Sequence, residues 1–267
     1  MAASTPYSDK FFVAGHIAKG IVYTLIGGLA LATVFTAGGQ VSGARDVLDW
    51  IQNQTFGNVL IVIVALGMLC YCVWRWIKAL EDTHNEGDDA EGLTKRTAYA
   101  TSGSVYGFLA VTFLITVFGS GSGGSGSGGK KSILADILSN SWGVAAVIAL
   151  AVIMAGVAIV QFVKGWKEKY MNDVDTSSMD SSERKWYKRF GKIGFIARGI
   201  VYIVIAYFLV RVALSDNASQ FKGVGGALEY IQESGGTWLF VIVSLGLLLY
   251  GVFMFVKAKY RPRHKTD

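Results

Sequence analysis

The sequence predicts an all-α polytopic membrane protein: six transmembrane helices, arranged as three tandem helical hairpins with approximate three-fold pseudosymmetry. Three observations carry that prediction. The first is the length of the apolar runs. A helix needs about 20 apolar residues to cross a bilayer core. Runs of this kind occupy the first part of 20–45, then 56–74, 97–118, 142–163 and 238–256. A sixth, 193–214, has the same length and is interrupted by Arg198 and Arg211. The second observation is repetition. Lys19-Gly20-Ile21-Val22-Tyr23 returns as Arg198-Gly199-Ile200-Val201-Tyr202, and 198 less 19 is 179. The same spacing relates Leu66-Gly67 to Leu245-Gly246 and Tyr71 to Tyr250, while Gly103-Ser104-Val105-Tyr106 is a weaker copy between them. A repeat of this period fixes an architecture before any single residue does. The third is the placement of charge. All but five of the 25 Lys and Arg (Arg45, Lys130, Lys131, Arg211 and Lys222) fall at the N-terminus, in the second and fourth connections, in the tail, or on helix ends joining them. Basic residues accumulate on the cytoplasmic side, so both chain ends are expected there.

The elements follow in order. The run 21–37 exceeds a secretory signal core of about 7–15 residues, and a cut after Ala37 would leave Phe35 where a small residue is needed. It is therefore read as a retained first helix. The segment 43–51 has apolar residues at helical spacing, as do 132–138 and 226–231. All three are expected to be short helices on the outer surface, with Trp50, Ile137 and Tyr230 dipping into it. Cys70 and Cys72 lie two apart on the second helix, where side chains do not face each other, so no disulfide joins them. The loop 80–98 is acidic, without EF-hand ligand spacing, and reads as solvated. Gly103 and Gly107 on the third helix have the spacing that lets helices approach closely in lipid. The tract 119–129 is only Gly and Ser, a flexible coil. Asp180-Ser181-Ser182-Glu183 opens a helix as a capping box does, and the basic and aromatic run 184–190 suggests an interfacial helix on the anionic inner leaflet. Trp142 and Trp238 are expected at the outer boundary, and Trp74, Trp76 and Trp166 at the inner one. The repeats are thereby placed at 11–80, 97–169 (with the Gly/Ser-rich outer loop 119–129) and 190–259.

The formal net charge of +6 reads as orientation and contact with membrane lipids, anionic inner-leaflet lipid included. Nucleic acid is not an expected partner, because the basic residues form no stripe with interleaved aromatics; a protein partner is left open. Catalytic, metal and cofactor constellations are not discernible. His16, His84 and His264 are scattered, and none of the six runs contains an acidic residue, which argues against a proton-coupled pump.

The candidate site is Lys19, Tyr23, Tyr106, Arg198 and Tyr202. Lys19 and Tyr23, and Arg198 and Tyr202, are four residues apart and share a helix face. In one reading the two cations snorkel to the cytoplasmic headgroups. In another they form a cationic ring that takes an anion or a lipid phosphate. In a third they bind carbonyls at a helix end. Ser102 stands at the corresponding middle position, so such a ring is incomplete. The expected function is a non-enzymatic integral membrane protein that binds lipid, a hydrophobic ligand or a partner. The alternative is a small channel or transporter with a pathway along the pseudo-axis, gated near Tyr23, Tyr106 and Tyr202. A membrane enzyme ranks third.

These residues also resemble a known pattern. Gly15 to Tyr23 and Gly194 to Tyr202 read G-x-x-A-[RK]-G-x-V-Y. They are followed by Gly43 to Ile51 and Gly226 to Ile231, then by Leu-Gly, Tyr and a closing Lys-Ala at 78–79 and 257–258. The set resembles a bacterial integral membrane family of three tandem two-helix domains, known only as a domain of unknown function. The resemblance spans about Phe11 to Lys259 and implies the architecture and the bacterial plasma membrane. It implies no activity.

Overall fold

A computed structural model describes residues 6–35, 57–81, 89–118, 135–140, 142–215 and 217–260. The protein is all-α. Its long helices are α1 (Pro6–Phe35), α2 (Gly57–Leu80), α3 (Ala90–Phe118), α4 (Gly143–Trp166), α5 (Ser181–Ser215) and α6 (Val224–Lys259). A seventh, single-turn helix covers 135–138. Among the described residues five helices are long and apolar enough to cross a membrane: those containing Lys10–Ala32, Ile61–Leu80, Gly143–Trp166, Ser181–Ser215 and Val224–Lys259. The helix that falls short is α3. It has 29 residues, but Thr94, Lys95, Arg96, Thr97, Thr101, Ser102 and Ser104 make its first half polar.

The helices pack in a near-closed sequence: α1 on α2, α2 on α3, α4 on α5, α5 on α6, and α6 back on α1. Among the described residues α3 and α4 are not a packed pair. Glycines set the approach of each packed pair. A Cβ on Gly15 would lie 2.5 Å from Tyr71 Cβ, and one on Gly194 2.6 Å from Tyr250 Cβ. Gly67 meets Ala18 as Gly246 meets Ala197, both at 2.5 Å. Between repeats, Gly20 faces Phe255, Gly103 faces Trp76 and Gly199 faces Phe162. No apolar side chain need be squeezed out of water to bring these helices together in lipid; close backbone approach supplies the contact.

Two cores result. One is aliphatic, with Ile61, Ala65, Leu209, Leu228 and Leu247 at its centre. The other is aromatic and is built on Phe12, Tyr71, Trp74, Tyr170, Tyr187, Tyr250 and Phe253. The aromatic core includes the linker between α4 and α5. There Tyr170, on the 3-10 turn Lys169–Asn172, and Val174, between it and the turn Thr176–Ser178, are fully buried.

Several expectations change. The run 184–190 is not a separate interfacial helix; it is the start of the 35-residue α5. The reason is its inner face. Tyr187 stacks on Phe253 at 4.6 Å between ring centroids, and Gly191 abuts the Tyr170 ring. Asp180 caps this helix, accepting from the amides of Ser182 (2.7 Å) and Glu183 (2.8 Å), as its sequence suggests. Trp74 is no boundary anchor: it is 5% exposed and packs on Phe12 and His16. Trp76, Trp142, Trp166 and Trp238 are exposed. The segment 226–231 belongs to α6, which breaks at Gly236 (φ 77°, ψ 170°), a backbone state open essentially to glycine alone. Tyr230 stacks on Tyr207 and meets the edge of Phe208, so it packs on α5. Ile137 packs against the aliphatic core. The segment 43–51 with Trp50, the tract 119–129 and the acidic stretch 82–88 lie outside the described residues.

Candidate functional site

Each of the five site residues comes from an odd-numbered helix, and the structure brings all five together. Lys19 and Tyr23 lie one turn apart on α1, Arg198 and Tyr202 one turn apart on α5, and Tyr106 comes from α3. The even helices add two side chains that sequence reasoning kept only as repeat markers, Tyr71 from α2 and Tyr250 from α6. Their 179-residue spacing, shared with Lys19 and Arg198, is the signal that could have placed them in the site.

Arg198 sits among three phenols. It donates from Nη1 to the Tyr250 hydroxyl and from Nη2 to the Tyr202 hydroxyl, the latter at 2.6 Å. Its guanidinium carbon lies 4.4 Å from the Tyr250 ring centre, 5.1 Å from that of Tyr23 and 5.2 Å from that of Tyr202. The Tyr23 and Tyr202 hydroxyls are 3.5 Å apart. Lys19 Nζ lies 3.9 Å from the Tyr71 ring centre and 4.2 Å from that of Tyr106. Tyr71 in turn accepts a 3.0 Å hydrogen bond from Arg75 Nε. His16 is buried one turn before Lys19, with Nδ1 2.7 Å from the Phe12 carbonyl oxygen.

Burial decides between the sequence readings. Lys19 is 5% exposed and Arg198 7%. Both side chains end inside the bundle, not at its surface. Among the described residues neither forms an ion pair, and Arg198 Nε is buried with no hydrogen-bond partner. Burying an ion costs several kcal/mol. A desolvated cation on an aromatic face recovers about 2 kcal/mol. The tyrosines therefore orient and partly solvate two positive charges without neutralising them. Buried positive charge with no carboxylate partner among the described residues, and with phenol hydroxyls beside it, is suited to an anion.

The C-terminal end of α6 holds further charge. Lys257 is 6% exposed and pairs with Asp173 of the α4–α5 linker at 2.5 Å. Burial opposes the Asp173 charge, but Lys257, Lys164 and Lys78 outweigh it and hold the carboxyl at about 2. An ordinary Asp titrates near 3.9. A depressed carboxylate contributes stability that is complete above its unfolded value and is lost as pH falls through the folded one. The Asp173 side chain is 45% exposed, so solvent screening limits the contribution to about 1 kcal/mol or less. The melting temperature of Asp173→Asn in detergent should therefore lie slightly below that of the wild type at neutral pH. The gap should close between pH 4 and pH 2. A gap that persists unchanged at pH 2 would mean that the carboxylate charge is not its source.

A family profile described as Domain of Unknown Function (DUF1206) matches three segments, 14–82, 97–168 and 193–261. A Bacillus subtilis (strain 168) protein described as "Uncharacterized protein YxxB" is 31% identical over 257 residues, which is 96% of this chain and 92% of that one. No solved structure matches the chain.

Proposed function

Since the chain belongs to the family of the Domain of Unknown Function (DUF1206), whose repeat it carries three times, we propose that it is an integral membrane lipid-binding protein. It has no catalytic role in this reading. The chamber of Lys19, Arg198 and their tyrosines holds the phosphodiester headgroup of an anionic inner-leaflet lipid. The chain crosses a bacterial plasma membrane six times as the hairpins 11–80, 97–169 and 190–259, disposed about a pseudo-three-fold axis, with both ends cytoplasmic. The equivalent glycine contacts between successive repeats support that symmetry, and the basic residues of the inner connections support that orientation.

One observation carries the ligand assignment: two buried cations without a carboxylate partner among the described residues, one of them with an unsatisfied donor at Nε. A phosphodiester is monoanionic and presents two acceptor oxygens, which suits one guanidinium and one ammonium. A lipid source is supported by the middle hairpin. Among the described residues α3 and α4 are not a packed pair, which supports lateral entry of acyl chains beside Tyr106.

Native mass spectrometry tests the reading. The full-length protein, extracted in neutral detergent, is offered phosphatidylglycerol and phosphatidylcholine. One phosphatidylglycerol should be retained preferentially, and Lys19→Met should lose it. Equal retention of the two lipids, or full retention by Lys19→Met, would overturn the assignment. Displacement of the lipid by excess inorganic phosphate would assign the chamber to the free ion instead.

A further inference from the structure

The middle hairpin departs from the other two at the contacts by which those two seal themselves. Gly15 faces Tyr71 and Ala18 faces Gly67, as Gly194 faces Tyr250 and Ala197 faces Gly246. Thr101 stands where Ala18 and Ala197 stand: 18 less 14, 101 less 97 and 197 less 193 are each 4, counted from the start of each family segment. Ile153 stands where Gly67 and Gly246 stand: 82 less 67, 168 less 153 and 261 less 246 are each 15, counted from the end. Val157 likewise replaces Tyr71 and Tyr250, since 82 less 71, 168 less 157 and 261 less 250 are each 11. A branched side chain on each helix forbids the close backbone approach that Gly and Ala allow. Ala98 and Thr101 are accordingly exposed, as are Ile153 (57%) and Val157 (37%), and a Cβ on Gly156 would meet nothing within 4 Å. Among the described residues, the seam between α3 and α4 is unsealed.

The two walls of the seam differ. On α4, Ala149, Ile153, Val157 and Val160 recur at helical spacing and are exposed, an apolar strip. On α3, Thr94, Thr97, Thr101 and Ser104 are exposed at helical spacing. Each hydroxyl donates to the carbonyl one turn back: Thr94 to Ala90 at 2.6 Å, Thr97 to Leu93 at 2.8 Å, Thr101 to Thr97 at 2.9 Å and Ser104 to Ala100 at 3.1 Å. With its hydrogen committed, each oxygen has only lone pairs left to offer. The row begins where Arg96 binds the Ala79 and Leu80 carbonyls at the end of α2. It runs about 15 Å along the helix to Ser102 and Tyr106, at the chamber. We propose that the α3–α4 seam seats the lipid held in the chamber, with its acyl chains on the Ile153 and Ala149 end of the apolar strip and its headgroup alcohol on the hydroxyl row. The site thereby selects anionic phospholipids whose headgroup alcohol itself donates hydrogen bonds, as the two hydroxyls of phosphatidylglycerol do. This inference rests on the chamber holding the phosphodiester and adds what recognises the groups on either side of it.

Phosphatidylethanol is the discriminating probe, because it is the same monoanionic phosphodiester with no donor on its alcohol. The full-length protein in neutral detergent is offered phosphatidylglycerol, phosphatidylethanol and phosphatidylcholine with matched acyl chains, and retention is read by native mass spectrometry. Phosphatidylglycerol should be retained about fivefold to tenfold better than phosphatidylethanol, the scale of one or two net hydrogen bonds. The double variant Thr97→Ala/Thr101→Ala should level those two lipids while keeping both above phosphatidylcholine. Ile153→Trp, which fills the seam from an exposed position, should reduce retention of both about tenfold. Equal retention of phosphatidylglycerol and phosphatidylethanol by the wild type, with both above phosphatidylcholine, would overturn this inference and leave the chamber reading standing. Phosphatidylglycerol retained no better than phosphatidylcholine would overturn the chamber reading and this inference with it. A preference that survives Thr97→Ala/Thr101→Ala would remove the hydroxyl row from recognition, and full retention by Ile153→Trp would remove the acyl chains from the seam. If either variant is not recovered as a monodisperse protein, the wild-type comparison of the two anionic lipids decides.

Discussion

Arg198→Met is expected to abolish retention of the anionic lipid, weakening it about a hundredfold or more, since loss of one partner of a buried charge pair costs 2–5 kcal/mol. The same substitution should leave thermal stability unchanged or raise it. The two effects have separate origins. The Arg198 charge is buried and, among the described residues, has no carboxylate to offset it. Replacing a buried ion pair by apolar side chains of similar volume is often neutral or stabilising by about 1–4 kcal/mol, and Arg198 bears the desolvation cost of such a charge without a paired carboxylate among the described residues. The Tyr23 and Tyr202 hydroxyls, already 3.5 Å apart, can then bond to each other. Arg198→Lys should fare little better in binding, because one ammonium cannot reproduce a planar fork that reaches Tyr250 and Tyr202 at once. A lipid titration and a melting curve on the same preparations check this. A fall in melting temperature with binding intact would make Arg198 a structural clamp.

The second large effect concerns packing. Gly27→Ala is expected to destabilise the protein by about 1–3 kcal/mol, whereas Gly28→Ala should be close to neutral. The two glycines are adjacent on α1 and equal in intrinsic helix propensity. They differ in what faces them. A Cβ on Gly27 would lie 2.4 Å from the Leu248 amide nitrogen and 2.6 Å from the Ser244 carbonyl oxygen of α6. Those are backbone atoms, so α1 and α6 would have to separate. A Cβ on Gly28 would meet only Leu248 Cδ1, at 3.9 Å. The melting temperatures of the two variants in one detergent check this. Equal losses would mean that the α1–α6 contact is not where the structure puts it.

Much of this was legible in the sequence because it rests on periodicity. The 179-residue spacing marks Lys19 with Arg198 and Tyr71 with Tyr250, and those residues meet in one chamber. What stayed hidden depends on direction. Arginine and lysine near the ends of apolar runs read naturally as snorkelling, and only the packed structure turns Lys19 and Arg198 inward. Trp74 looked like an interface anchor for the same reason: its type fits a boundary, while its helix face, shared with Tyr71, points to Phe12 and His16. The run 184–190 is as basic and aromatic as an interfacial helix, but its Tyr187, Gly191 and Phe195 spacing is that of a packing face. Lys257 was one among many orientation charges, and no local signal ties Asp173 to it across 84 residues.

The most direct test of the account is the side of the membrane on which each connection lies. Single cysteines at Glu81, Ser139, Ser178 and Ser219, each exposed, are introduced after Cys70 and Cys72 are replaced. A membrane-impermeant maleimide is then applied to intact and to permeabilised cells. Ser139→Cys and Ser219→Cys should react from outside, and Glu81→Cys and Ser178→Cys only after permeabilisation. Labelling of Glu81→Cys and Ser139→Cys from the same side would remove the crossing by α3, and labelling of Ser178→Cys from outside would put the α4–α5 linker, with its Asp173–Lys257 pair, on the wrong face.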